Sequence, residues 1–182
     1  MKVLHINTAL ITDAPGRIAE EIGKVLISNG HESYIGYGRF TRPIVSKPIK
    51  IGSNQDQLLH VLRTRLFDTH GFGSANATVR FTEDIRQVDP DIIHLHNLHG
   101  YYLNVEVLFR YLKSAGKPIV WTLHDCWPFT GHCSHYDYVG CSRWKTKCYS
   151  CPNQKAYPTS WLMDNSTDNY SRKKDLFTGL ES

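Results

Sequence analysis

Strand-like apolar runs alternate with helix-like segments four or five times along this chain, and that alternation constrains the fold more than any other feature. Residues 2–7 (KVLHIN) predict a buried strand, residues 18–26 carry apolar side chains at helical spacing, and residues 31–37 alternate like a second strand. A strand, a helix and a strand in succession form a parallel, right-handed crossover. The chain is therefore expected to fold as an α/β, Rossmann-like, doubly wound and mostly parallel sheet with helices on both faces.

The same alternation continues through the rest of the chain, with one interruption. Leu58, Leu62 and Leu66 lie on one stripe of a second predicted helix, over residues 55–67. Residues 126–158 have no regular period, so an irregular, cysteine-rich loop is expected after the fifth strand. The other predicted elements are helices over 77–88, over 103–112 and from about residue 168, and strands over 49–53, 91–97 and 118–123.

Composition narrows the class of protein. The 182 residues, 41% of them hydrophobic and 21% charged, fit one globular domain with a full core. A net charge of +4 fits an anionic partner such as a phosphate-bearing metabolite or a membrane surface, and solvated lysines explain it equally well. The chain has no long run of Lys and Arg, so no nucleic-acid partner is expected. Without a membrane-length apolar stretch or a signal peptide, a cytoplasmic protein with mostly reduced cysteines is expected.

Polar side chains follow three of the predicted strands, at the point where each strand ends. Because the carboxyl ends of parallel strands meet at one edge, and open α/β sheets bind ligands there, these side chains are expected to lie close together. Their donors and acceptors suit a polyhydroxylated ligand. The set comprises Asn7 after the first strand, His96 and Asn97 after the fourth, His99 in the next loop, and His124 and Asp125 after the fifth.

Simpler interpretations of the same residues remain open. His124 can satisfy a backbone carbonyl while Asp125 caps a turn, and His94 is interpreted as a packed core histidine. The loop after the first strand contains only Gly16 and neither a GxGxxG nor a Walker motif, so an ordinary dinucleotide or nucleoside triphosphate site is not expected there. A hydrolase that uses His124 and Asp125 lacks an identifiable nucleophile.

Four of the five cysteines are spaced in a way that allows a metal site. Cys148 and Cys151 form a CxxC pair, and Cys133 and Cys141 are near enough in sequence to complete a tetrahedral zinc site. Such a site would fold a long loop that has little core of its own. The alternatives are reduced cysteines packed among aromatic side chains, or one oxidised pair. Cys126 is interpreted as a packing residue.

Three segments resemble one group of bacterial enzymes. They are residues 90–100 (PDIIHLHNLHG), residues 121–133 (WTLHDCWPFTGHC), and residues 148–152 (CYSCP) with the later Tyr157-Pro158. Together they resemble glycosyltransferases of family 4 that act in capsule, exopolysaccharide and colanic-acid-type synthesis. The resemblance covers nearly the whole chain and is most specific in residues 121–133.

The resemblance implies a two-lobed GT-B enzyme, of which residues 1–182 form the N-terminal, acceptor-side lobe without the C-terminal donor lobe. It implies retaining transfer of a sugar from a nucleotide sugar to a saccharide or lipid-linked acceptor, without a catalytic metal. The fragment alone is then expected to be inactive. The roles implied are catalytic for His124 and Asp125, and substrate-binding for Gly16, His96, Asn97, His99, Trp127 and Thr130.

Two functions from different classes therefore compete. In the first, the chain is the acceptor half of a glycosyltransferase, in peripheral contact with the inner membrane face. In the second, it is a non-catalytic interaction module that uses a zinc knuckle of Cys133, Cys141, Cys148 and Cys151 on a Rossmann-like scaffold. A continuation of the chain into a second α/β half would favour the first function. A stop after residue 182 with one bound zinc would favour the second.

Overall fold

The computed structural model describes residues 1–39 and 42–179 and contains a sheet of five parallel strands in the order β3-β2-β1-β4-β5. The predicted α/β, Rossmann-like fold is confirmed. The strands are β1 (Lys2–Ala9), β2 (Glu32–Arg39), β3 (Lys47–Lys50), β4 (Ile92–Leu95) and β5 (Ile119–Trp121). The helices are α1 (Ala14–Ser28), α2 (Asn54–Phe67), α3 (Ala75–Val88), α4 (Val105–Ala115) and α5 (Ser166–Phe177).

Both faces of the sheet are covered by helices. On one face, Leu4 and Ile6 of β1 pack in a core that includes Phe81 of α3 and Leu108 of α4. On the other face, a smaller cluster forms around Ala19 of α1. Because β1 pairs with β2 on one side and β4 on the other, the chain reverses its winding direction at β1. That reversal is the position at which such sheets bind ligands.

The helix α1 packs through small side chains and not through its large apolar ones. Asp13 caps its first turn by accepting the Gly16 amide at 2.7 Å. Ile18 and Val25 are 43% and 62% exposed, however, while Ile22 and Leu26 are half-buried. The buried face includes Gly23, where an added Cβ would lie 2.3 Å from Ser46 Oγ. Because Ser46 lies so close to this position, a side chain would not fit there, which favours glycine.

The helix α2 also turns its leucines outward. Leu58 and Leu62 are 69% and 48% exposed, and the buried residues are His60 and Thr64. His60 Nε2 accepts the backbone amides of Gly71 and Gly73, both at 3.2 Å. Because buried amides must be paired, the polar stripe of this helix faces inward and the leucine stripe is left at the surface.

The segment from the end of β5 to α5 is irregular, as predicted. Within it the structure has only single 3₁₀ turns, and much of its order comes from one anchor, Asp68, directly after α2. The Asp68 carboxylate lies 2.5 Å from His132 Nδ1 and accepts the Asn165 amide at 2.9 Å. Its carbonyl accepts from Asn169 Nδ2 at 2.5 Å. Asp68 thus joins the end of α2, the irregular loop and α5.

Candidate functional site

The polar ends of β1, β4 and β5 meet at one edge of the sheet, as the sequence predicts. His96 Nδ1 lies 3.0 Å from His124 Nε2, and the two rings are stacked with an interplanar angle of 17°. The Asn97 amide donates to Asn7 Oδ1 at 3.2 Å, which joins the end of β4 to the end of β1. Residues distant in sequence therefore form one continuous rim.

A chain of imidazoles runs from the interior of the sheet to this rim. His5 Nδ1 lies 3.3 Å from His96 Nε2, and His96 in turn contacts His124. His5 is paired with His94 in the β1–β4 register, and the His94 and His96 rings are 4.1 Å apart between centroids. His94 is only partly buried and bonds Thr122 Oγ1 at 2.8 Å. The hydrogen-bonded histidines His5, His96 and His124 thus connect the interior of the sheet to the rim.

The direction of these hydrogen bonds can be assigned from burial. His5 is fully buried, and its Nε2 has no hydrogen-bond partner among the described residues. A neutral imidazole has one donor and one acceptor nitrogen. A buried N–H without a partner is rarer than an unpaired acceptor, so His5 Nε2 is assigned as the bare nitrogen. His5 then donates to His96, His96 donates to His124 Nε2, and His124 carries its proton on Nδ1.

Burial and the neighbouring charges keep the imidazoles of His5, His96 and His124 uncharged. Burial, and then the charge of His94, lowers the pKa of His5 to about 4. Burial and the neighbouring histidines lower the pKa of His96 to about 3. Burial lowers the pKa of His124 as well, against the opposing effects of Asp125 and Asp13. At neutral pH His124 is therefore a neutral side chain that can offer an Nδ1–H donor.

The second part of the site is a carboxylate held by a histidine. Asp125 Oδ2 lies 2.5 Å from His99 Nε2, and Oδ1 accepts the Trp127 amide at 2.9 Å. His99 Nδ1 lies 3.0 Å from the Tyr157 hydroxyl. Burial raises the pKa of Asp125, but the bond and charge of His99 and the Trp127 amide outweigh it, so the net pKa is lowered. An ionised, oriented carboxylate results.

A pocket of about 270 Å³ opens beside this pair. Tyr138, which is 87% exposed, and Tyr157 contribute aromatic surface to it. Exposed aromatic rings next to an oriented carboxylate suit a sugar, because a sugar presents both C–H faces and hydroxyl groups. The lining residues are His99, Asp125, Ser134, His135, Tyr138, Asn153, Ala156 and Tyr157.

Three further residues with predicted substrate contacts lie in different surroundings. Gly16 is buried, and its amide is engaged by Asp13. Trp127 is 1% exposed and belongs to the main core, from which its ring reaches His99 at 5.6 Å between centroids. Thr130 is 1% exposed and donates to the Cys133 carbonyl at 2.5 Å. For these three residues, a direct contact with substrate stays a prediction.

The four predicted metal ligands, Cys133, Cys141, Cys148 and Cys151, line one small pocket, and all are free thiols. They are not among the groups of described residues whose ligand atoms all lie within 4.8 Å of one another. Two such groups occur, one of His5, His94 and His96 and one of Cys126, His135 and Asp137. Zinc binding by the four cysteines stays a prediction at this point.

Sequence reasoning missed the supporting members of the site. His5 was assigned only to a strand, although it falls between Leu4 and Ile6 and so lies on the opposite face of the strand from these two core residues. The contact of Tyr157 with His99 depends on the return path of an irregular loop, which carries no periodic signal. Only the register of β1 against β4 reveals that His5 lies beside His94.

A five-stranded parallel sheet with neutral imidazoles and an oriented carboxylate at its carboxyl edge defines a Rossmann-like domain with a ligand site at the strand ends. Comparison with known families gives the class more closely. Residues 16–161, which are most of the chain, match the model of Glycosyltransferase Family 4. The chain belongs to glycosyltransferase family 4.

One curated relative is similar over nearly the whole chain. It is the putative colanic acid biosynthesis glycosyl transferase WcaC of Escherichia coli (strain K12), which is 31% identical over 189 residues. The alignment covers 97% of this chain and 45% of that protein. The chain thus spans less than half the length of this relative.

Proposed function

We propose that residues 1–182 form the acceptor-side lobe of a retaining hexosyltransferase that builds surface polysaccharide. The donor would be a nucleotide sugar, held mostly by a second lobe, and the acceptor a saccharide or a lipid-linked saccharide. Membership of family 4 and the name of the 31% identical relative support this proposal. The relative is more than twice as long as the aligned region, which leaves length for a donor lobe in that protein.

The observation that carries the proposal is the pairing of two opposite hydrogen-bonding groups on consecutive residues. His124 offers a neutral Nδ1–H, because its Nε2 is occupied by His96. Asp125 offers carboxylate lone pairs, because His99 and the Trp127 amide fix its orientation without using all of them. Asp125 lines the 270 Å³ pocket and His124 directly precedes it in the chain, so we propose that the two side chains hold hydroxyl groups of one sugar.

Transfer itself needs stabilisation of the charge that develops on the departing diphosphate. We assign that task to basic groups of the second lobe and propose no catalytic metal. His124 would hold the transferred sugar or the acceptor through its Nδ1–H. Gly16 would approach the donor phosphate only if the phosphate displaces Asp13 from its amide.

We also propose that α2 rests on a membrane. No helix of the described residues is long and apolar enough to cross a membrane. Leu58 and Leu62 project from α2, and Trp161, 57% exposed, donates its amide to the Arg65 carbonyl at 2.7 Å. The Arg65 guanidinium lies 5.7 Å from the Trp161 ring centroid. Leucine, tryptophan and arginine on one surface suit the interface of an anionic bilayer.

A transfer assay on the longer protein that contains this chain tests the main proposal. Labelled nucleotide sugars are offered with lipid-linked acceptors, and the 182-residue chain is assayed in parallel. We expect transfer by the longer protein, no transfer by the short chain, and saccharide binding by both in ligand-observed NMR. Transfer by the short chain alone would contradict the division into two lobes, and absence of saccharide binding by either would contradict the acceptor role.

A further inference from the structure

We propose that Cys133, Cys141, Cys148 and Cys151 bind one structural zinc ion, which fixes the irregular loop against α5 and shapes the wall of the saccharide pocket. The four residues are spread along the irregular loop but line the same small pocket. That pocket holds about 10 Å³, close to the space taken by a single water-sized particle. The proposal concerns metal binding and does not depend on sugar transfer.

Two of the contacts within the pocket involve the proposed ligands. The Cys133 and Cys151 thiols are close enough to interact with each other. The Gly131 amide donates to Cys148 Sγ at 3.1 Å, a contact that stabilises thiolate ligands in metal sites. In a tetrahedral site with Zn–S bonds of about 2.3 Å, neighbouring sulfurs lie roughly 3.8 Å apart. Since no three of the four sulfurs lie within 4.8 Å of one another, the ligands need to draw together as the ion binds.

The charges around the pocket fit an anionic centre. Four thiolates and one Zn²⁺ carry a net charge of −2, which an apolar interior does not tolerate without cations nearby. Lys173 is 2% exposed, and its Nζ lies 4.0 Å from the centroid of the Trp127 ring and 2.6 Å from the Trp127 carbonyl. Cys148 has the largest electrostatic effect on this ammonium group, followed by Asp68, Cys133 and Asp125. A thiolate centre at Cys148 would therefore face a buried lysine.

A second cation flanks the pocket from the solvent side. Arg143 lines the pocket, and its guanidinium lies 4.7 Å from the Tyr149 ring centroid. It donates to the Tyr149 carbonyl at 2.9 Å and also to the Ser150 carbonyl. Arg143 thereby holds the turn between Cys148 and Cys151 in place. A turn fixed from outside is suited to presenting both of its cysteines to one ion.

The loop has few other means of holding its shape. Between β5 and α5 the only regular structure is three 3₁₀ turns of three residues each, Trp127–Phe129, Asp137–Val139 and Arg143–Lys145. Loops of this length without their own secondary structure are uncommon in compact domains. A structural zinc contributes its binding free energy directly to folding.

The same loop forms one wall of the saccharide pocket. Ser134 and His135 follow Cys133 directly, and Asn153 is two residues beyond Cys151. Asn153 Nδ2 donates to the His135 carbonyl at 3.0 Å, so the two loop segments that form the wall are already joined. Zinc bound by Cys133 and Cys151 would also hold these two segments together beside the pocket. Metal removal should therefore weaken saccharide binding without touching His124.

Metal analysis of the purified chain tests the proposal. The protein is prepared under reducing conditions without chelator, and zinc is measured by elemental mass spectrometry. We expect about one zinc per chain in the wild type and in the control Cys126→Ser, whose cysteine does not line the pocket. In Cys148→Ser and Cys151→Ser, competition with a chromophoric chelator should reveal at least about 100-fold weaker binding, since a direct ligand matters more than its supporting shell.

Cobalt substitution of the wild type decides the matter if the serine variants do not fold. Four thiolates on tetrahedral Co²⁺ give intense visible bands and a sulfur charge-transfer band. A wild type that takes up neither metal overturns the proposal, as does a Cys133–Cys151 disulfide found by peptide mapping under the same reducing conditions. Loss of zinc in Cys126→Ser with retention in Cys148→Ser also overturns it and assigns the metal to Cys126, His135 and Asp137.

Discussion

His96 and His124 are 28 residues apart in sequence, yet His96 Nδ1 lies 3.0 Å from His124 Nε2 at the edge of the sheet. This contact joins the end of β4 to the end of β5. It also leaves one nitrogen of His124 available at the rim, because the other is already bonded. The first three predictions follow from this arrangement of the site, and the fourth from the surface of α2.

Replacing His124 should remove a hydrogen bond to the sugar that strengthens during transfer. In the proposed two-lobed enzyme we expect His124→Ala to lower kcat roughly 10²–10³-fold, the usual cost of losing one such donor. The matched control is His31→Ala, which removes a histidine at the opposite end of the strands. Initial rates with saturating nucleotide sugar measure the effect. Equal losses in both variants would exclude a specific role for His124.

The buried position of His5 predicts a pH dependence of stability. Its pKa is about 4 in the folded chain, against 6.5 for an ordinary histidine, so the unfolded state takes up the proton first as the pH falls. The stability that His5 contributes is complete above pH 6.5 and is lost progressively down to pH 4. Between pH 7 and pH 5 the loss should be roughly 2 kcal/mol.

Urea unfolding of the wild type and of His5→Leu at pH 7 and pH 5 measures this loss of stability. The variant should lose less stability than the wild type on acidification, although His60 and His96, with pKa values of about 3, still contribute. Long-range ¹⁵N–¹H NMR reports the tautomers at the same time, and we expect the His124 proton on Nδ1 in the wild type. A proton on His124 Nε2 would reverse the assigned direction of the hydrogen bonds between His5, His96 and His124.

The pairing of Asp125 with His99 predicts a cost in stability and in saccharide binding. Asp125→Ala leaves His99 Nε2 and the Trp127 amide without their partner, and such losses cost about 1–3 kcal/mol each at buried sites. Asp125→Asn retains one acceptor oxygen and should be milder in thermal unfolding. Both variants should bind saccharide more weakly in NMR titrations. A binding curve that matches the wild type for both would place the saccharide elsewhere.

The exposed leucines of α2 predict binding to vesicles. The double variant Leu58→Ser/Leu62→Ser, or Trp161→Ser, should reduce co-flotation with vesicles that contain an anionic lipid, and added salt should weaken the wild type. The control is Val25→Ser, because Val25 is 62% exposed on α1. If the control loses flotation as strongly as the α2 variants, the attachment is not specific to α2.

Much of the fold was predictable because strands and helices each carry a period. The five strands and five helices lie close to their predicted ranges. The inward faces of α1 and α2 were not predictable, since Gly23 is selected by contact with Ser46 and His60 by the amides of Gly71 and Gly73. Those contacts come from distant loops, which a local pattern does not contain.

The site was predictable where it depends on strand ends and not where it depends on register or loops. Parallel topology was enough to bring His96 and His124 together. The place of His5 behind them requires the pairing of β1 with β4, and the place of Tyr157 requires the course of an aperiodic segment. Hydrophobic periodicity carries neither kind of information.

Asp68 connects three parts of the structure that are far apart in sequence. Its carboxylate and carbonyl bind His132, Asn165 and Asn169, so the last turn of α2, the cysteine loop and α5 are coupled through one residue. If α2 binds a bilayer as proposed, Asp68 would pass a displacement of α2 on to His132, which lies two residues before Ser134 in the lining of the pocket.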